Sequence, residues 1–298
     1  MFTDNEQEKI QIAVFPVAGF GTRFLPATKS TPKEMLPVVD KPLIQYAVEE
    51  AYDAGIRNMV FITGRSKWSI TEHYDFAYEL ETELEKRGKK EFMTIVDRIR
   101  PRDMNVMFIR QERAMGLGHA VLCAEPIVRN RPFAVLLADD LIYNHYGIQV
   151  LKQMCAIYER NQQGVIGVQT VPYEHTHRYG IITAGSSLDD RTYRIEDIVE
   201  KPAVEEAPSD LAVIGRYILP GRIMQILANT QTGAGGEIQL TDAIKALLKD
   251  KTILAYRFEG ERYDCGDKLG YLQANVQMGI HNRDFGEDFK EYLRSLDL

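Results

Sequence analysis

The sequence has 298 residues, 45% of them hydrophobic and 27% charged, so the chain can bury a sizeable core. Its formal net charge of -7 argues against a nucleic-acid partner or a basic membrane-surface protein, and no segment has the roughly 18 unbroken apolar residues of a membrane span. The three cysteines are widely spaced and form no CxxC pair, which is typical of reduced thiols and predicts a cytoplasmic location.

Short apolar runs alternate with longer mixed segments, which is the pattern of strands and crossover helices in an α/β sheet. The runs are apolar on both faces, and this indicates buried parallel strands. Strands are predicted at residues 12–18, 59–63, 106–110, 133–138 and 165–171. Helices are predicted around residues 43–54, 66–88, 117–129 and 148–162.

The composition changes near residue 172, where loop-rich sequence with short β stretches begins. Within it, ITAGSSLDDRTYRIEDIVEKP is predicted to contain a β-hairpin. The final segment, FGEDFKEYLRSLDL, predicts a helix with one apolar face. That face comprises Phe285, Phe289, Tyr292, Leu293 and Leu296. It is expected to pack on the chain itself or on another subunit.

The loop after the first predicted strand, AGFGTRFLPATKSTPKEMLP, combines glycines, prolines and basic residues. Glycines at this junction let backbone N–H groups approach a phosphate closely. Arg23 offers a planar fork for phosphate oxygens, and Lys33 offers a compact charge. The loop therefore predicts a basic anion site in an acidic protein; the alternative is a surface loop with solvated charges.

A nicotinamide-dependent oxidoreductase is disfavoured. The dinucleotide fingerprint G-x-G-x-x-G is incomplete, because Phe24 stands where a third small residue belongs. The second predicted strand also ends in Thr63 and Gly64 instead of an acidic residue. A Walker A motif is missing as well.

The longer segment GFGTRFLPATKSTPKEMLPVVDKPLIQY resembles the signature loop of the sugar-phosphate nucleotidylyltransferases. The resemblance continues in chain order through QERAMGLGHAVLCA, VLLADD, RYGII, IVEKP, IGRYIL, GGEIQLTDAI and RYDCGD, over residues 10–280. Coincidence does not produce so many ordered motifs. The sequences of these motifs are most similar to those of members that transfer a uridylyl group from UTP to glucose 1-phosphate.

The resemblance implies an α/β fold with a mixed, mostly parallel Rossmann-like sheet flanked by helices and a β-rich sugar-binding portion. We therefore expect a single domain over residues 1–280, with 10–170 mainly nucleotide-binding and 171–280 mainly sugar-binding. Residues 281–298 form a C-terminal helix that could contact another subunit. The family also suggests a homodimer or homotetramer.

VLLADD ends with Asp139 and Asp140 at the carboxyl edge of a predicted buried strand, where α/β sheets bind ligands. From the residues alone, capping of a following helix is an equal alternative. The resemblance implies that Asp139 and Asp264 of RYDCGD hold Mg²⁺. This ion takes one or two carboxylates, keeps several waters and bridges substrate phosphates. Asp140 would then contact the ribose or support the site.

The resemblance also implies the remaining site residues. The nucleotide is expected to contact Ala18, Gly19, Gly21, Gln111, Gly116 and Asp140. The sugar is expected to contact Gly180, Glu200, Lys201, Gly215 and Glu237. The catalytic cations are expected to be Arg23, Lys33 and Lys201.

Two of these assignments have a physical basis in the residues themselves. The Gln111 amide both donates and accepts, which matches the edge of uracil. Neighbours in an extended chain point to opposite sides, so Glu200 and Lys201 can serve one site only if the strand end twists or bulges. The alternative for Glu200 and Lys201 is an exposed ion-pairing edge.

Other functions remain open within this family. A thymidylyltransferase acting on the same sugar phosphate differs by one methyl group on the base. A regulatory homologue without catalytic activity is also possible. The intact Gly19, Gly21, Arg23 and Lys33, together with both acids, favour an active enzyme.

Overall fold

The computed structural model describes residues 8–233 and 236–296. Nine strands form the main sheet: β1 (Ile12–Val17), β4 (Asn58–Thr63), β5 (Asn105–Arg110), β6 (Phe133–Leu136), β8 (Gly164–Thr170), β9 (Gly180–Ser187), β10 (Thr192–Glu200), β11 (Leu211–Leu219) and β12 (Ile253–Arg257). Their spatial order is β5-β4-β1-β6-β11-β8-β12-β10-β9. Two short antiparallel pairs accompany the sheet: β2 (Pro37–Val38) with β3 (Lys41–Pro42), and β7 (Asp140–Tyr143) with β13 (Glu261–Asp264).

The helices of the described residues are α1 (Leu43–Asp53), α2 (Trp68–His73), α3 (Tyr78–Lys86), α4 (Lys90–Ile99), α5 (Leu117–Leu122), α6 (Glu125–Val128), α7 (Val150–Asn161), α8 (Arg222–Asn229), α9 (Leu240–Leu247), α10 (Lys268–Ile280) and α11 (Gly286–Ser295). None of them is long and apolar enough to span a membrane. Short 3-10 turns connect several elements, including Thr22–Phe24, Lys33–Met35 and Tyr173–Arg178.

The predicted mixed α/β sheet is confirmed, and all five predicted strands are present as β1, β4, β5, β6 and β8. Parallel pairing joins β5, β4, β1 and β6, and also β8 with β12. The second half of the sheet is mostly antiparallel, since β11 pairs with β6 and β8, and β10 pairs with β12 and β9. The β9–β10 pair is the predicted hairpin.

Two predicted helices are confirmed as α1 and α7. The other two predictions are wrong, because each of those segments forms two shorter helices instead of one. The predicted helix at 66–88 is interrupted between α2 and α3. There, the Phe76 N–H donates to Asp75 Oδ1 at 2.8 Å, and the Ala77 N–H donates to Glu81 Oε1 at 3.0 Å. The predicted helix at 117–129 divides into α5 and α6. Pro126 lies in the first turn of α6 and has no N–H to continue the helical ladder.

The apolar side chains of the central strands alternate between two packed layers. Phe15 and Phe61 face one side of the sheet and belong to a cluster with α1 and α7. Val14 and Val60 face the other side and belong to a cluster with α5, α8 and α9. Because both faces are covered, β1, β4, β5 and β6 are held in register. Because these four strands are parallel, their carboxyl ends meet at one edge of the sheet.

The C-terminal helix α11 uses part of its apolar face within the chain. A side chain added at Gly279 of α10 would begin 2.9 Å from the Phe289 ring, so the two helices are in close contact there. Phe285 and Tyr292 remain exposed. The predicted C-terminal helix is confirmed at Gly286–Ser295, whereas residues 281–285 form a turn before it. Residues 297–298 lie outside the described part of the chain.

Phe61 provides a test of the core. Its ring stacks on Phe15 and Phe108 with centroids 5.0 and 5.2 Å away, and it is fully buried. We expect Phe61→Ala to lower the free energy of unfolding by about 3–5 kcal/mol, because it leaves a cavity between packed rings. Urea unfolding measures the loss. The exposed Phe92→Ala should change stability by less than about 0.5 kcal/mol, and equal losses would contradict the packing described.

Candidate active site

Two of the predicted site acids, Asp139 and Asp264, meet at the carboxyl edge of the sheet. The β7–β13 pair places Asp140 opposite Asp264, and the Cys265 N–H donates to the Asp139 carbonyl at 2.8 Å. A side chain added at Gly266 would begin 2.9 Å from Asp264 Oδ1 and 3.4 Å from Asp139 Oδ2. Two carboxylates from distant parts of the chain therefore lie against the same glycine, where a side chain would crowd them.

Two of the three cations in the glycine-rich loop, Arg23 and Lys33, reach the same place. Arg23 Nη1 donates to the Gly266 carbonyl at 3.3 Å. Lys33 Nζ forms an ion pair with Asp139 Oδ2. The loop after β1 is therefore bound to the same turn that carries Asp264.

The loop holds these cations through tight local structure. Gly21 adopts a φ of +65°, and its carbonyl accepts a hydrogen bond from Thr28 Oγ1 at 2.8 Å. A side chain at Gly21 would begin 3.1 Å from Lys33 Cβ, so the two segments are closely packed. Next to Lys33, the buried Glu34 accepts a hydrogen bond from Lys67 Nζ at 2.6 Å. This buried ion pair ties the loop to the segment after β4.

The charges of the site shift the pKa values of its members. Burial alone would lower the pKa of Lys33, but the carboxylates of Asp139 and Glu34 raise it overall. Burial alone would raise the pKa of Asp139, but Lys33 lowers it below its ordinary value. Both groups are therefore charged at neutral pH. The pKa of Asp264 is raised, first by burial and then by the nearby charge of Asp140.

Two arginines that the sequence analysis did not single out also lie here. Arg178 Nη2 is 3.4 Å from Asp264 Oδ2 and 3.3 Å from Asp267 Oδ2. Arg262 Nε donates to Asp140 Oδ1 at 2.7 Å. Both residues belong to quoted motifs, RYGII and RYDCGD. Their position in those motifs was the available signal, but only the folded chain shows which acids they contact.

Asp140, predicted to contact the nucleotide, is engaged within the protein. Its Oδ2 accepts from the Gly215 N–H at 2.9 Å, and its Oδ1 accepts from Arg262. Gly215, predicted to contact the sugar, is packed tightly, since a side chain there would begin 2.6 Å from Leu137 Cβ. Asp140 thus joins β7, β11 and β13, and the predicted ligand contacts of Asp140 and Gly215 remain predictions.

On the side predicted for the nucleotide, Gln111 lies at the end of β5 and is 6% exposed. Its Nε2 lies 3.3 Å from the Gly116 carbonyl and 2.9 Å from His119 Nδ1. These contacts orient the amide toward the glycine turn that precedes α5. At the end of β1, the Ala18 carbonyl lies close to Gly64, since a side chain at Gly64 would begin 3.0 Å from it.

Glu237, predicted to contact the sugar, lies next to Gly116, which is predicted to contact the nucleotide. A side chain added at Gly116, which has a φ of +91°, would begin 2.8 Å from Glu237 Cβ. The segment of Glu237 is fixed there because the Ile238 N–H donates to the Met115 carbonyl at 2.8 Å. Glu237 therefore lies beside the turn predicted for the nucleotide.

Glu200 and Lys201 meet the geometric condition set by the sequence analysis. Lys201 has a φ of +44° at the end of β10, which turns the chain. Its Nζ consequently lies 3.4 Å from Glu200 Oε1, so the two neighbours point the same way. Glu200 is paired with Gly180 across the hairpin and accepts from Thr241 Oγ1 at 2.6 Å.

The donor set decides which metal the site would suit. Within residues 8–233 and 236–296, no cluster of three or more His, Cys, Asp or Glu could hold a metal. Asp139 and Asp264 supply only two carboxylates, both beside Gly266. Such a set fits Mg²⁺, which fills its remaining positions with water and substrate phosphates.

Gly21 and Gly19 form a matched pair for testing the loop. Gly21→Ala should destabilise the protein by about 1–2 kcal/mol, because an L-residue is strained at positive φ. A side chain at Gly19 meets no described atom within 4 Å, so Gly19→Ala should leave stability nearly unchanged. Thermal unfolding compares the two variants. A loss in Gly19→Ala as large as that in Gly21→Ala would contradict this account of the loop.

The chain is similar to known proteins over most of its length. A family model described as "Nucleotidyl transferase" matches residues 12–279. A UTP–glucose-1-phosphate uridylyltransferase of Pseudomonas aeruginosa is 48% identical over 265 residues, covering 89% of this chain and 94% of that protein. A solved structure described as UTP-bound UGPase from Acinetobacter baumannii has a TM-score of 0.89 and 44% identity, covering 97% of this chain and 100% of that one.

A second solved structure, UDP-glucose pyrophosphorylase complexed with UDP-glucose, has a TM-score of 0.83 and 46% identity. It covers 90% of this chain and 98% of that one. The family resemblance seen in the ordered motifs is thereby confirmed. The chain belongs to the nucleotidyl transferase family.

Proposed function

We propose that this protein transfers the uridylyl group of UTP to glucose 1-phosphate, giving UDP-glucose and pyrophosphate. The observation that carries the proposal is the meeting of Arg23 and Lys33 with Asp139 and Asp264 around Gly266. The similar protein of Pseudomonas aeruginosa is named for this reaction, and the two similar structures are described with UTP and with UDP-glucose.

The reaction needs no general base. A phosphate oxygen of glucose 1-phosphate is already anionic and attacks the α-phosphorus of UTP. The new O–P bond forms as the bond from that phosphorus to the bridging oxygen breaks, and the electron pair leaves with pyrophosphate. The main obstacle is repulsion between two polyanions that must align for in-line displacement.

The cations of the site lower that repulsion. Arg23 and Lys33 come from the loop after β1 and would hold the phosphates of UTP, whereas Lys201, which follows β10, would hold the sugar phosphate. Preorganised cations that face the developing charge stabilise a transition state strongly. The glycine-rich loop keeps Arg23 and Lys33 in place before substrate arrives, through the positive φ of Gly21 and the Glu34–Lys67 ion pair.

Mg²⁺ is the proposed cofactor, held by Asp139 and Asp264. When bound, the ion would neutralise charge on the phosphate oxygens of both substrates. Burial and then Asp140 raise the pKa of Asp264, and a nearby divalent cation would favour the ionised form of this acid.

The two halves of the chain would divide the recognition of substrate. Residues 10–170 would be mainly nucleotide-binding, through Ala18, Gly19, Gly21, Gln111, Gly116 and Asp140. Residues 171–280 would be mainly sugar-binding, through Gly180, Glu200, Gly215 and Glu237. The shared direction of Glu200 and Lys201 supports the sugar side, since one can accept from hydroxyls while the other meets the phosphate.

Location and assembly are also part of the proposal. We place the enzyme in the cytoplasm, because Cys123, Cys155 and Cys265 are free thiols in the structure. A homodimer or homotetramer is supported by the exposed Phe285 and Tyr292 of the C-terminal segment, which a second subunit could cover.

The direct test incubates the protein with Mg²⁺, glucose 1-phosphate and each nucleoside triphosphate separately, and measures pyrophosphate. Release should be fastest with UTP. Faster release with TTP would make the protein a thymidylyltransferase instead. Failure to release pyrophosphate from any nucleotide would leave the regulatory homologue as the correct description.

Asp139→Asn and Asp264→Asn test the metal site. Each removes a negative charge at nearly constant shape, so we expect kcat to fall on the order of 10²–10³-fold while the protein stays folded. Pyrophosphate release measures kcat, and circular dichroism measures folding. Asp190→Asn changes an exposed acid in the β9–β10 loop and should keep full activity. Full turnover in Asp139→Asn or Asp264→Asn would refute the assignment.

A further inference from the structure

Beneath the turn that carries Asp139 lies a buried ion pair between Arg216 of β11 and Glu50 of α1. The two side chains are 1% and 4% exposed. Arg216 Nη2 and Nε donate to Glu50 Oε2 at 2.8 and 3.0 Å. A charge pair this deep is costly to desolvate unless its remaining donors and acceptors also have partners.

The remaining N–H groups of Arg216 are directed at the backbone of that turn. Its Nη1 donates to the Leu137 carbonyl at 3.1 Å and to the Gly215 carbonyl at 2.9 Å. Its Nη2 donates to the Asp140 carbonyl at 3.0 Å. Leu137 and Asp140 lie on either side of Asp139 and its neighbour Ala138. One planar guanidinium therefore holds both ends of the segment that presents the Asp139 carboxylate.

Glu50, the partner of Arg216, is itself held in place. Glu50 Oε1 accepts a hydrogen bond from the Leu151 N–H at 2.8 Å, in the first turn of α7. The position of Arg216 is thus set by α1 and α7, which pack against the body of the sheet. A lysine could not make the same set of contacts, because it has one compact ammonium in place of a forked, planar group.

Core stability alone does not account for this arrangement. Apolar side chains of similar volume commonly replace buried ion pairs without loss of stability. What the pair adds here is a fixed position for the two carbonyls that flank Asp139.

We infer that Arg216, supported by Glu50, is a positioning residue that fixes the Asp139 turn and thereby sets the divalent-metal affinity of the site. This inference rests on the metal site of the proposed function. Arg216 contacts the backbone of the turn, and its effect on substrate acts through Asp139.

The test uses two variants of the full chain. Arg216→Lys keeps the positive charge but loses the fork, and Arg216→Met combined with Glu50→Gln removes both charges so that neither is left unpaired. Phe61→Ala serves as the control, because it weakens the same sheet in the core, where its ring packs on Phe15 and Phe108.

Two measurements separate positioning from general stability. Electron paramagnetic resonance with Mn²⁺ alone gives the metal affinity, and hydrogen exchange gives the protection of the amides of Asp140 and Cys265, whose acceptors are the Leu137 and Asp139 carbonyls. We expect both Arg216 variants to bind Mn²⁺ about tenfold more weakly, equivalent to about 1.4 kcal/mol, and to lose protection at these amides. Phe61→Ala should retain both properties at temperatures where it is folded.

The outcomes distinguish this inference from the proposed reaction. Unchanged Mn²⁺ affinity and unchanged protection in the folded Arg216 variants would overturn the positioning role, even if the protein turns over UTP. The Arg216 variants could bind Mn²⁺ more weakly and lose protection while the unmodified protein does not turn over UTP. That result would support the positioning role and overturn the proposed reaction. Equal losses of Mn²⁺ affinity and protection in Phe61→Ala would show a general effect on stability. That result would also overturn the positioning role.

Discussion

The structure depends on balancing opposite charges at one edge of the sheet. Asp139, Asp140 and Asp264 lie together, and Lys33, Arg178 and Arg262 surround them. Clustered carboxylates repel one another, so each additional cation lowers the free energy of bringing them together. The cations come from three separate regions of sequence. The charge balance therefore joins the loop after β1, the turn before β9 and the β7–β13 pair into one site.

The same principle extends below the surface of the site. The Glu34–Lys67 and Glu50–Arg216 pairs are buried, and each connects a site-bearing segment to a helix or loop of the core. An ion pair has a defined geometry that apolar contacts lack, because its hydrogen bonds are directional. Buried pairs of this kind would keep charged loops from relaxing toward solvent. Rigid loops in turn reduce the reorganisation needed when two polyanionic substrates bind.

An element was predicted well from the sequence when the residues that cause it are neighbours in the chain. The strands β1, β4, β5, β6 and β8 were predicted because continuous apolar runs signal burial on both faces. The broken helices at 66–88 and 117–129 were missed, because local capping by Asp75 and Glu81 and the position of Pro126 override a loose helical pattern. The motifs indicated the acids and the loop cations. Arg178, Arg262 and Arg216 also lie in these motifs, but the motifs did not indicate their roles, because the partners of these arginines lie far away in sequence.

By itself, the sequence determined that this is an acidic α/β protein of the nucleotidyl transferase family, with a basic glycine-rich loop after its first strand. Residue types and their spacing carry that information, since backbone freedom, charge and apolar periodicity are local properties. Only the tertiary structure decided that the Asp140 carboxylate accepts hydrogen bonds from Gly215 and Arg262, and that Glu237 lies beside Gly116. These contacts arise because β7 pairs with β13, and β11 pairs with β6 and β8. The pairings bring distant segments within hydrogen-bonding range. No local pattern in the chain encodes such distances.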